Sequence, residues 1–247
     1  MLREVRLLRA GYCLVDRTQL VTGEPPGRLE RVPIWTYLLR GDDVLALVDT
    51  GMPPDCVGRE DYFADEEGGD QIRPQMRAED AIDQVLARQG LHVGDIDLVI
   101  CTHGHFDHAG GIRSFRAQPV LVHREELAAL RADPPLWVDP DLNYEAVEDN
   151  SSPLCGVTLL HTPGHTPGHL SLLLRPEGRR PLLLTADAVY LRENWERDIP
   201  GAMTDADAGR RSVARLRALA VQAGADVFFG HDPQQSEDPL WRPLVRA

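Results

Sequence analysis

Short apolar runs alternate with turn-forming residues along the chain, a pattern typical of an α/β protein. Two β-type runs at 34–39 and 44–48 flank the turn 41–43, which predicts a β-hairpin whose second strand stops at Asp49. The same pattern predicts further strands at 96–100, 120–123, 157–161, 170–174, 182–184 and 227–229. Polar residues that follow directly on these runs, as Asp49 does, are therefore expected at strand ends.

Two segments carry apolar residues at helical spacing. The first extends from Ala78 to Gly90, a residue type that commonly ends helices. The second is predicted to begin at Thr204 as the N-cap, with Asp207 three residues later. The segment 133–153 is rich in proline and aspartate and is expected to be irregular.

Residues 52–77 show little periodicity and are predicted to form a long surface loop. The segment holds Pro53-Pro54, an acidic cluster and Gly68-Gly69, and loops of this length commonly have a function. The aromatic pair Tyr62 and Phe63 favours a lid. We expect one domain over residues 1–247, with this lid as its main insertion.

Net charge and cysteine content limit the classes of partner and the cellular compartment that we expect. The formal net charge is −13, so a nucleic acid or an anionic membrane surface is not expected as a partner. No segment approaches the roughly 20 apolar residues of a membrane span. The four cysteines form no CxxC pair, which favours reduced thiols and a cytoplasmic protein.

Potential metal ligands are densest in the stretch His103-Gly104-His105-Phe106-Asp107-His108, which offers four of them in six positions. Residues two apart can point the same way where a strand gives way to a loop. Imidazole and carboxylate groups are typical zinc ligands. Other predicted strand ends supply three more ligands of these types, namely His165, Asp187 and His231.

The simplest distribution of these seven ligands is a site for two divalent ions. One ion takes His103, His105 and His165, the other takes Asp107, His108 and His231, and Asp187 bridges both. Two cations sharing a hydroxide leave a net positive charge, which suits a reaction with an oxyanion in its transition state. Zinc is the first choice of metal, and manganese, iron or cobalt also fit this ligand set.

Two polar residues near the predicted ligands leave alternatives open. His169 lies in the repeat TPGHTPGH and could replace His165 as a ligand, although we favour a supporting or packing role. Asp49 either supports a ligand by a hydrogen bond or only caps its turn.

Motifs over nearly the whole chain resemble the metallo-β-lactamase superfamily. Within it, the chain is most similar to the dinuclear-zinc N-acyl-homoserine lactonases, the quorum-quenching enzymes. The shared segments are VPIWTYLL at 32–39, LVDTGMP at 47–53, HGHFDHAGG at 103–111, HTPGHTPGH at 161–169, DAVY at 187–190 and FFGHD at 228–232. The resemblance implies a four-layer αββα sandwich with the site at one edge. It also implies a catalytic tyrosine at Tyr190.

The reaction that this resemblance implies is hydrolysis of a lactone ring by a hydroxide that bridges the two metal ions. Tyr190 is expected to polarise the ester carbonyl, and Asp107 to carry a proton to the leaving oxygen. Phe106 is expected to line the substrate pocket, and Tyr62 and Phe63 to cover an acyl chain.

Other interpretations of the same residues remain. The enzyme could hydrolyse a different small lactone or ester, such as a pyridine-fused lactone, by the same chemistry. A catalytically silent metal-binding protein would use the ligands without the reaction. A homodimer is a further hypothesis, based on the apolar residues in segment 52–77.

Overall fold

The computed structural model describes residues 1–65 and 69–237. Within these ranges the strands are β1 (Glu4–Asp16), β2 (Leu29–Arg40), β3 (Leu45–Val48), β4 (Ile72–Gln75), β5 (Leu98–Ile100), β6 (Val120–His123), β7 (Tyr144–Val147), β8 (Val157–His161), β9 (Leu170–Leu174), β10 (Leu182–Leu184) and β11 (Asp226–Phe228). The α-helices are α1 (Arg17–Leu20), α2 (Ile82–Ala87), α3 (Phe106–Ala109), α4 (Arg124–Ala132), α5 (Arg192–Arg197) and α6 (Ala206–Ala223).

The strands form two sheets. The first has seven strands in the order β4-β1-β2-β3-β5-β6-β7, and the second has four in the order β11-β10-β9-β8. Strands β3, β5, β6 and β7 are mutually parallel, as are β10 and β11. Parallel strands bring their carboxyl ends to one edge of each sheet, which is where open α/β sheets hold their sites.

Apolar side chains bury both faces of both sheets. Val48 and Ile100 from the first sheet pack against Leu159 and Leu172 from the second. The opposite face of the first sheet packs against α2 and α4, and the opposite face of the second packs against α6. The layers therefore run helix, sheet, sheet, helix, which confirms the predicted αββα sandwich. None of the helices in the described ranges combines the length and apolar character needed to span a bilayer.

The predicted hairpin and the buried strands agree with the structure. Strands β2 and β3 pair antiparallel, and β8, β9 and β10 have the predicted bounds. The second helix is capped by Asp205, which accepts hydrogen bonds from the backbone N–H groups of residues 207 and 208, so the predicted N-cap at Thr204 was wrong by one residue. Both residue types are good caps, and the sequence pattern alone does not separate adjacent candidates.

Two edge strands lie in segments that were predicted to be irregular. Strand β7 lies within 133–153, where none of its four residues is fully buried and no apolar run is present. Strand β4 ends the predicted loop 52–77 and contains Pro74, a residue tolerated at a sheet edge because no ladder N–H is needed there. Residues 66–68 of the predicted lid lie outside the described residues.

Replacing Leu172 with alanine tests the packing between the two sheets. This side chain is fully buried between them, so we expect the free energy of unfolding to fall by about 2–5 kcal/mol. Urea denaturation followed by circular dichroism measures the change. Leu136 is 75% exposed, and Leu136→Ala should change stability by no more than about 0.5 kcal/mol. Equal effects of the two substitutions would contradict the assigned layers.

Candidate metal centre

The predicted ligands lie in loops and short helical turns that follow the carboxyl ends of strands from both sheets. Asp49 follows β3, and His103 follows β5 after two residues. On the second sheet, Asp187 follows β10, and His231 follows β11. Because β3 and β5 are parallel, as are β10 and β11, their loops leave at the same edge. Distant parts of the chain thereby meet at one point.

Three histidines form what we call the first ligand group: His103, His105 and His165. The Nε2 atom of His103 lies 3.1 Å from Nδ1 of His105 and 3.1 Å from Nε2 of His165. A tetrahedral zinc ion with bonds of about 2.0–2.1 Å separates its ligand atoms by about 3.3–3.4 Å. The three nitrogens are therefore spaced as ligands of one cation are.

The second ligand group is Asp107, His108 and His231. The Oδ2 atom of Asp107 lies 3.7 Å from Nε2 of His108 and 3.5 Å from Nε2 of His231. Two imidazoles and a carboxylate form a set that zinc and related divalent metals bind.

Asp187 lies between the two groups with one carboxylate oxygen toward each. Its Oδ2 is 3.3 Å from Nε2 of His165 and 3.8 Å from Nε2 of His103. Its Oδ1 is 3.3 Å from Nε2 of His108 and 3.2 Å from Nε2 of His231. Asp187 therefore faces both groups, and its role as a bridge between two ions stays a prediction.

Unsatisfied buried atoms indicate that cations fit this site. Nε2 of His108 and Oδ1 of Asp187 are buried without a hydrogen-bond partner among the described residues, an arrangement that is costly unless an ion or water completes it. Burial also lowers the pKa of His103 and His165 well below the usual value. Their rings are therefore neutral, and each keeps a nitrogen lone pair for a metal.

In the second ligand group the histidine pKa values are shifted in the opposite direction. Burial alone would lower the pKa of His108 and His231, but the nearby carboxylates, Asp187 foremost, raise it overall. Burial alone would likewise raise the pKa of Asp187, yet these two imidazoles hold it well below its usual range. Asp187 is therefore ionised and attracts positive charge to the gap between the groups.

Asp49 holds the ligand loop from behind. Its Oδ1 accepts the backbone N–H of Thr102 at 2.8 Å, and its Oδ2 accepts Nδ1–H of His108 at 2.8 Å. The hydroxyl of Thr102 donates to the same Oδ2 and lies 3.1 Å from Nδ1 of His103. Of the two roles left open by the sequence, the geometry favours support of the ligands, which fixes their tautomers and orientation.

His169 is not part of either ligand group. Its Nε2 accepts the backbone N–H of Asp187 at 3.0 Å, and its Nδ1 lies 2.9 Å from the hydroxyl of Thr162. Both ring nitrogens are therefore occupied in holding the backbone of the bridging residue. His165 rather than His169 points into the site.

Two non-glycine residues at the site adopt positive φ angles. Asp49 has a φ of 60°, and Ala186, directly before Asp187, has a φ of 44°. Such conformations cost of order 1–3 kcal/mol each and cluster at functional sites. Close packing also requires glycine at position 230, because a Cβ there would lie 2.5 Å from Oδ1 of Asp187. The local backbone is thus adapted to the position of one carboxylate.

Sequence reasoning missed Glu126, a buried residue of α4. Its Oε1 accepts the N–H of Gly104 at 2.8 Å, and its Oε2 accepts the hydroxyl of Thr166 at 2.7 Å and the N–H of Gly168 at 3.0 Å. Glu126 therefore joins the loop that carries His105 to the loop that carries His165. The available signal was an acidic residue beside Leu127 and Leu130 on an apolar helix face.

Glu126→Gln should weaken metal binding at the first ligand group and leave the second nearly unchanged. All three partners of the carboxylate are donors, and the glutamine amide would present N–H groups to some of them. We expect a loss of activity of about 10–100-fold, as for other residues that support metal ligands. Metal content and metal dissociation constants measure the selectivity. Glu125→Gln, an exposed neighbour on the same helix, is the matched control, and equal losses in both variants would contradict this role.

Comparison with known proteins identifies the family. The metallo-beta-lactamase superfamily model matches residues 29–231. The chain belongs to this superfamily. It is 39% identical over 236 residues to an N-acyl homoserine lactonase from a Bacillus species, covering 94% of each chain. It is also 38% identical over 238 residues to the N-acyl homoserine lactonase AiiA of Bacillus thuringiensis subsp. kurstaki, covering 95% of each.

Solved structures of the superfamily agree with the fold. An N-acyl homoserine lactone hydrolase with its product N-hexanoyl-L-homoserine bound at the catalytic metal center matches with a TM-score of 0.91. A mutant of B. thuringiensis AiiA with N-decanoyl-L-homoserine bound at its active site gives the same score. Each is 36% identical to this chain, and the match covers 96% of both chains.

A cavity of about 400 Å³ opens onto the metal centre of this superfamily member. Its lining includes Asp187 and members of both ligand groups, among them His105 and Asp107. The remaining wall is largely apolar, with contributions from Val15, Leu20, Val32, Ile72, Phe106 and Met203. Cavities of this size accommodate small organic ligands. The cavity therefore combines polar side chains of the candidate metal centre with apolar side chains that suit a hydrocarbon group.

Tyr190 lies at the cavity with its hydroxyl beside the first ligand group. The hydroxyl is 2.9 Å from Nδ1 of His165 and donates to the carbonyl of Ala202 at 3.1 Å. Burial raises the pKa of Tyr190 well above its usual value, so the phenol stays protonated at neutral pH. It can therefore donate one hydrogen bond, to Ala202 or to a bound ligand.

Only one of the three predicted pocket aromatics lines the cavity. Phe106 is part of the wall. Tyr62 and Phe63 are not among the lining residues, and Phe63 packs behind Phe106 with ring centroids 4.5 Å apart. Tyr62 in turn contacts Phe63 at 4.9 Å. Both contacts are edge-to-face, so Tyr62 and Phe63 support Phe106 from behind. Their role as a cover over an acyl chain stays a prediction.

Proposed function

We propose that this chain is a dinuclear metal hydrolase that opens the lactone ring of N-acyl-homoserine lactones. The observation that carries the proposal is the placement of two ligand groups, joined by Asp187, at a cavity with an apolar wall. An acylated lactone has a matching division between a polar ring and a hydrocarbon chain. Relatives 38–39% identical over nearly the full chain have this activity by name.

The first and second ligand groups would each hold one divalent cation, and zinc is the proposed metal. Imidazole nitrogens and carboxylate oxygens are the donor types that zinc prefers, and both groups consist of them. When bound, two such cations supply a water that ionises near neutral pH and stabilise negative charge on an ester oxygen. Metal-dependent hydrolysis therefore follows from the family and from the chemistry of the ligands.

Two side chains of the chain itself are proposed to assist. Tyr190 would donate a hydrogen bond from its hydroxyl to the lactone carbonyl oxygen, in exchange for its hydrogen bond to Ala202. Asp107 lines the cavity and is proposed to pass a proton to the ring oxygen as the ester bond breaks. Atoms balance, because the water supplies a hydroxyl to the acyl carbon and a proton to the leaving alcohol.

The compartment proposed for this reaction is the reducing cytoplasm. All four cysteines are free thiols, and Cys13, Cys56 and Cys101 are buried. Free thiols persist in reducing compartments.

Acid release from N-hexanoyl-L-homoserine lactone tests the function directly. The zinc-loaded protein is expected to produce one proton equivalent per ring opened, and His105→Ala should reduce the rate at least about tenfold by removing one ligand. A parallel screen with a pyridine-fused lactone, a thioester and a β-lactam distinguishes the alternatives. Faster turnover of any of these than of the acyl-homoserine lactone would overturn the proposed substrate. Tight binding of two metals without any hydrolysis would instead favour a silent metal-binding protein.

A further inference from the structure

A second and larger cavity, of about 740 Å³, lies at the outer edge of the seven-stranded sheet. Strands β1 and β4 contribute Tyr12, Pro74 and Gln75 to its wall. None of its lining residues lines the cavity over the metal centre. It is therefore a separate opening with no part in the proposed hydrolysis. Cavities of about 300–1,000 Å³ are typical of small-molecule sites.

The charge of this cavity differs from that of the protein as a whole. Five arginines line it, namely Arg9, Arg31, Arg59, Arg77 and Arg88, together with the three acidic residues Glu60, Glu79 and Asp80. Five positive and three negative charges leave two positive charges, whereas the whole chain carries −13. Because a concave surface focuses its own field, the cavity attracts anions that the rest of the surface repels.

Contacts with neutral groups hold several of these guanidinium groups in place. Arg31 lies over the ring of Tyr12, with its Cζ 3.3 Å from the ring centroid, and its Nε donates to Oε1 of Gln75 at 2.8 Å. Arg9 lies 4.7 Å from the same centroid and donates to the hydroxyl of Tyr12 at 2.8 Å. Arg88 donates to the backbone carbonyl of Glu79. Stacking on an aromatic ring orients an arginine without using most of its N–H donors.

Carboxylates of the described residues pair with few of these arginines. Arg77 pairs with Glu79 at 3.7 Å. No carboxylate of the described residues lies within 4 Å of the guanidinium nitrogens of Arg9, Arg31, Arg59 or Arg88. Asp80 accepts the backbone N–H of Arg77 at its Oδ2, at 3.0 Å. Each guanidinium has five N–H donors, so donors remain for a ligand.

We propose that this cavity binds a small molecule carrying two or more separated carboxylate or phosphate groups. Guanidinium groups recognise both anions through paired hydrogen bonds. Several arginines around one cavity require more than one anionic group on the ligand for full pairing. A single anion would leave most of the arginines unpaired, and a neutral ligand would gain nothing from them. The site lies apart from the metal centre and does not depend on the proposed function.

Calorimetric titration with benzene-1,3,5-tricarboxylate tests the proposal. The three carboxylates of this probe are too far apart to chelate one metal ion, which limits binding at the metal centre. We expect one site per chain, with affinity that falls as sodium chloride is raised. Arg9→Gln/Arg31→Gln and, independently, Arg59→Gln/Arg88→Gln should each weaken binding about tenfold or more. A hexane-1,6-diol bisphosphate titration identifies whether carboxylate or phosphate is preferred.

Two controls make the result decisive. Arg210→Gln/Arg211→Gln removes two exposed arginines from α6, on the other sheet, and should bind the tricarboxylate as the unaltered protein does. His231→Ala impairs the metal centre and should also retain binding. Loss of binding in His231→Ala, or equal weakening in all three double variants, would overturn the site. If neither probe binds the unaltered protein, the site is overturned as well. Melting temperatures of the variants establish that they are folded.

Discussion

Asp187→Asn is expected to reduce lactone hydrolysis about 10³-fold or more and to lower the affinity of both ligand groups for metal. Each carboxylate oxygen of Asp187 faces a different group, so in the proposed centre one substitution removes a charged ligand from two ions. The effect should exceed the 10–100-fold typical of a residue that only supports ligands. Steady-state kinetics with N-hexanoyl-L-homoserine lactone and metal content by mass spectrometry measure the two losses.

The matched control for this prediction is Asp43→Asn. Asp43 is exposed in the turn between β2 and β3, and the substitution removes the same charge far from the ligands. Activity and metal content should be unchanged. If Asp187→Asn kept more than a tenth of the activity, or lost metal from only one group, Asp187 would not be the shared ligand.

The contrast between Asp187→Asn and Glu126→Gln separates two ways of disturbing the centre. Asp187 faces both ligand groups directly, whereas Glu126 contacts only the loops that carry the first. Loss of Asp187 should therefore affect both metals, and loss of Glu126 mainly one. A protein in which both substitutions released both metals together would have a strongly coupled centre rather than two separable groups.

The residues of the candidate site were easier to predict than their support. His103 to His108 stand out in the sequence because polar ligands are dense there, and His165, Asp187 and His231 each follow an apolar run. Their side-chain types and their positions after predicted strands were enough to propose them as candidate ligands. Their meeting in space depends on parallel strands in two sheets. The expectation of two packed sheets with a site at one edge came from the family resemblance, since periodicity does not encode it.

The supporting residues depend on contacts between distant segments. Asp49 reaches Thr102 and His108, more than fifty positions away, and His169 holds the backbone of Asp187. The role of Asp49 remained open in the sequence because an aspartate after a strand is equally suited to a turn. Glu126 gave only a weak signal, as one acidic residue on an otherwise amphipathic helix. Such roles are set by tertiary packing.

Edge strands were missed for a different reason. Among the described strands, β4 pairs only with β1, and β7 only with β6. Their outer edges face no neighbouring strand of the described sheet, so few of their positions must be apolar. The hydrophobic pattern that identified β8, β9 and β10 is therefore absent from them. The error matters for function, because Ile72 of β4 lines the cavity over the metal centre.

Tyr190→Phe is expected to lower kcat about 10²–10³-fold, the usual cost of removing one donor to a developing oxyanion. The phenol is protonated and lies at the cavity, so the substitution removes a hydrogen bond and little volume. KM should change much less than kcat, because a bond that strengthens in the transition state contributes little to substrate binding. Steady-state kinetics with N-hexanoyl-L-homoserine lactone measure both constants.

Metal content distinguishes this role from the alternative that the geometry offers. The Tyr190 hydroxyl is also 2.9 Å from Nδ1 of His165, so it could act only by orienting that ligand. In that case Tyr190→Phe would lose metal from the first ligand group together with activity. A fully metal-loaded variant with low kcat supports donation to the substrate. Tyr144→Phe is the control, since its buried hydroxyl has no hydrogen-bond partner among the described residues. Activity of Tyr190→Phe within about twofold of the unaltered enzyme would exclude both roles, because either one predicts a loss far larger than that.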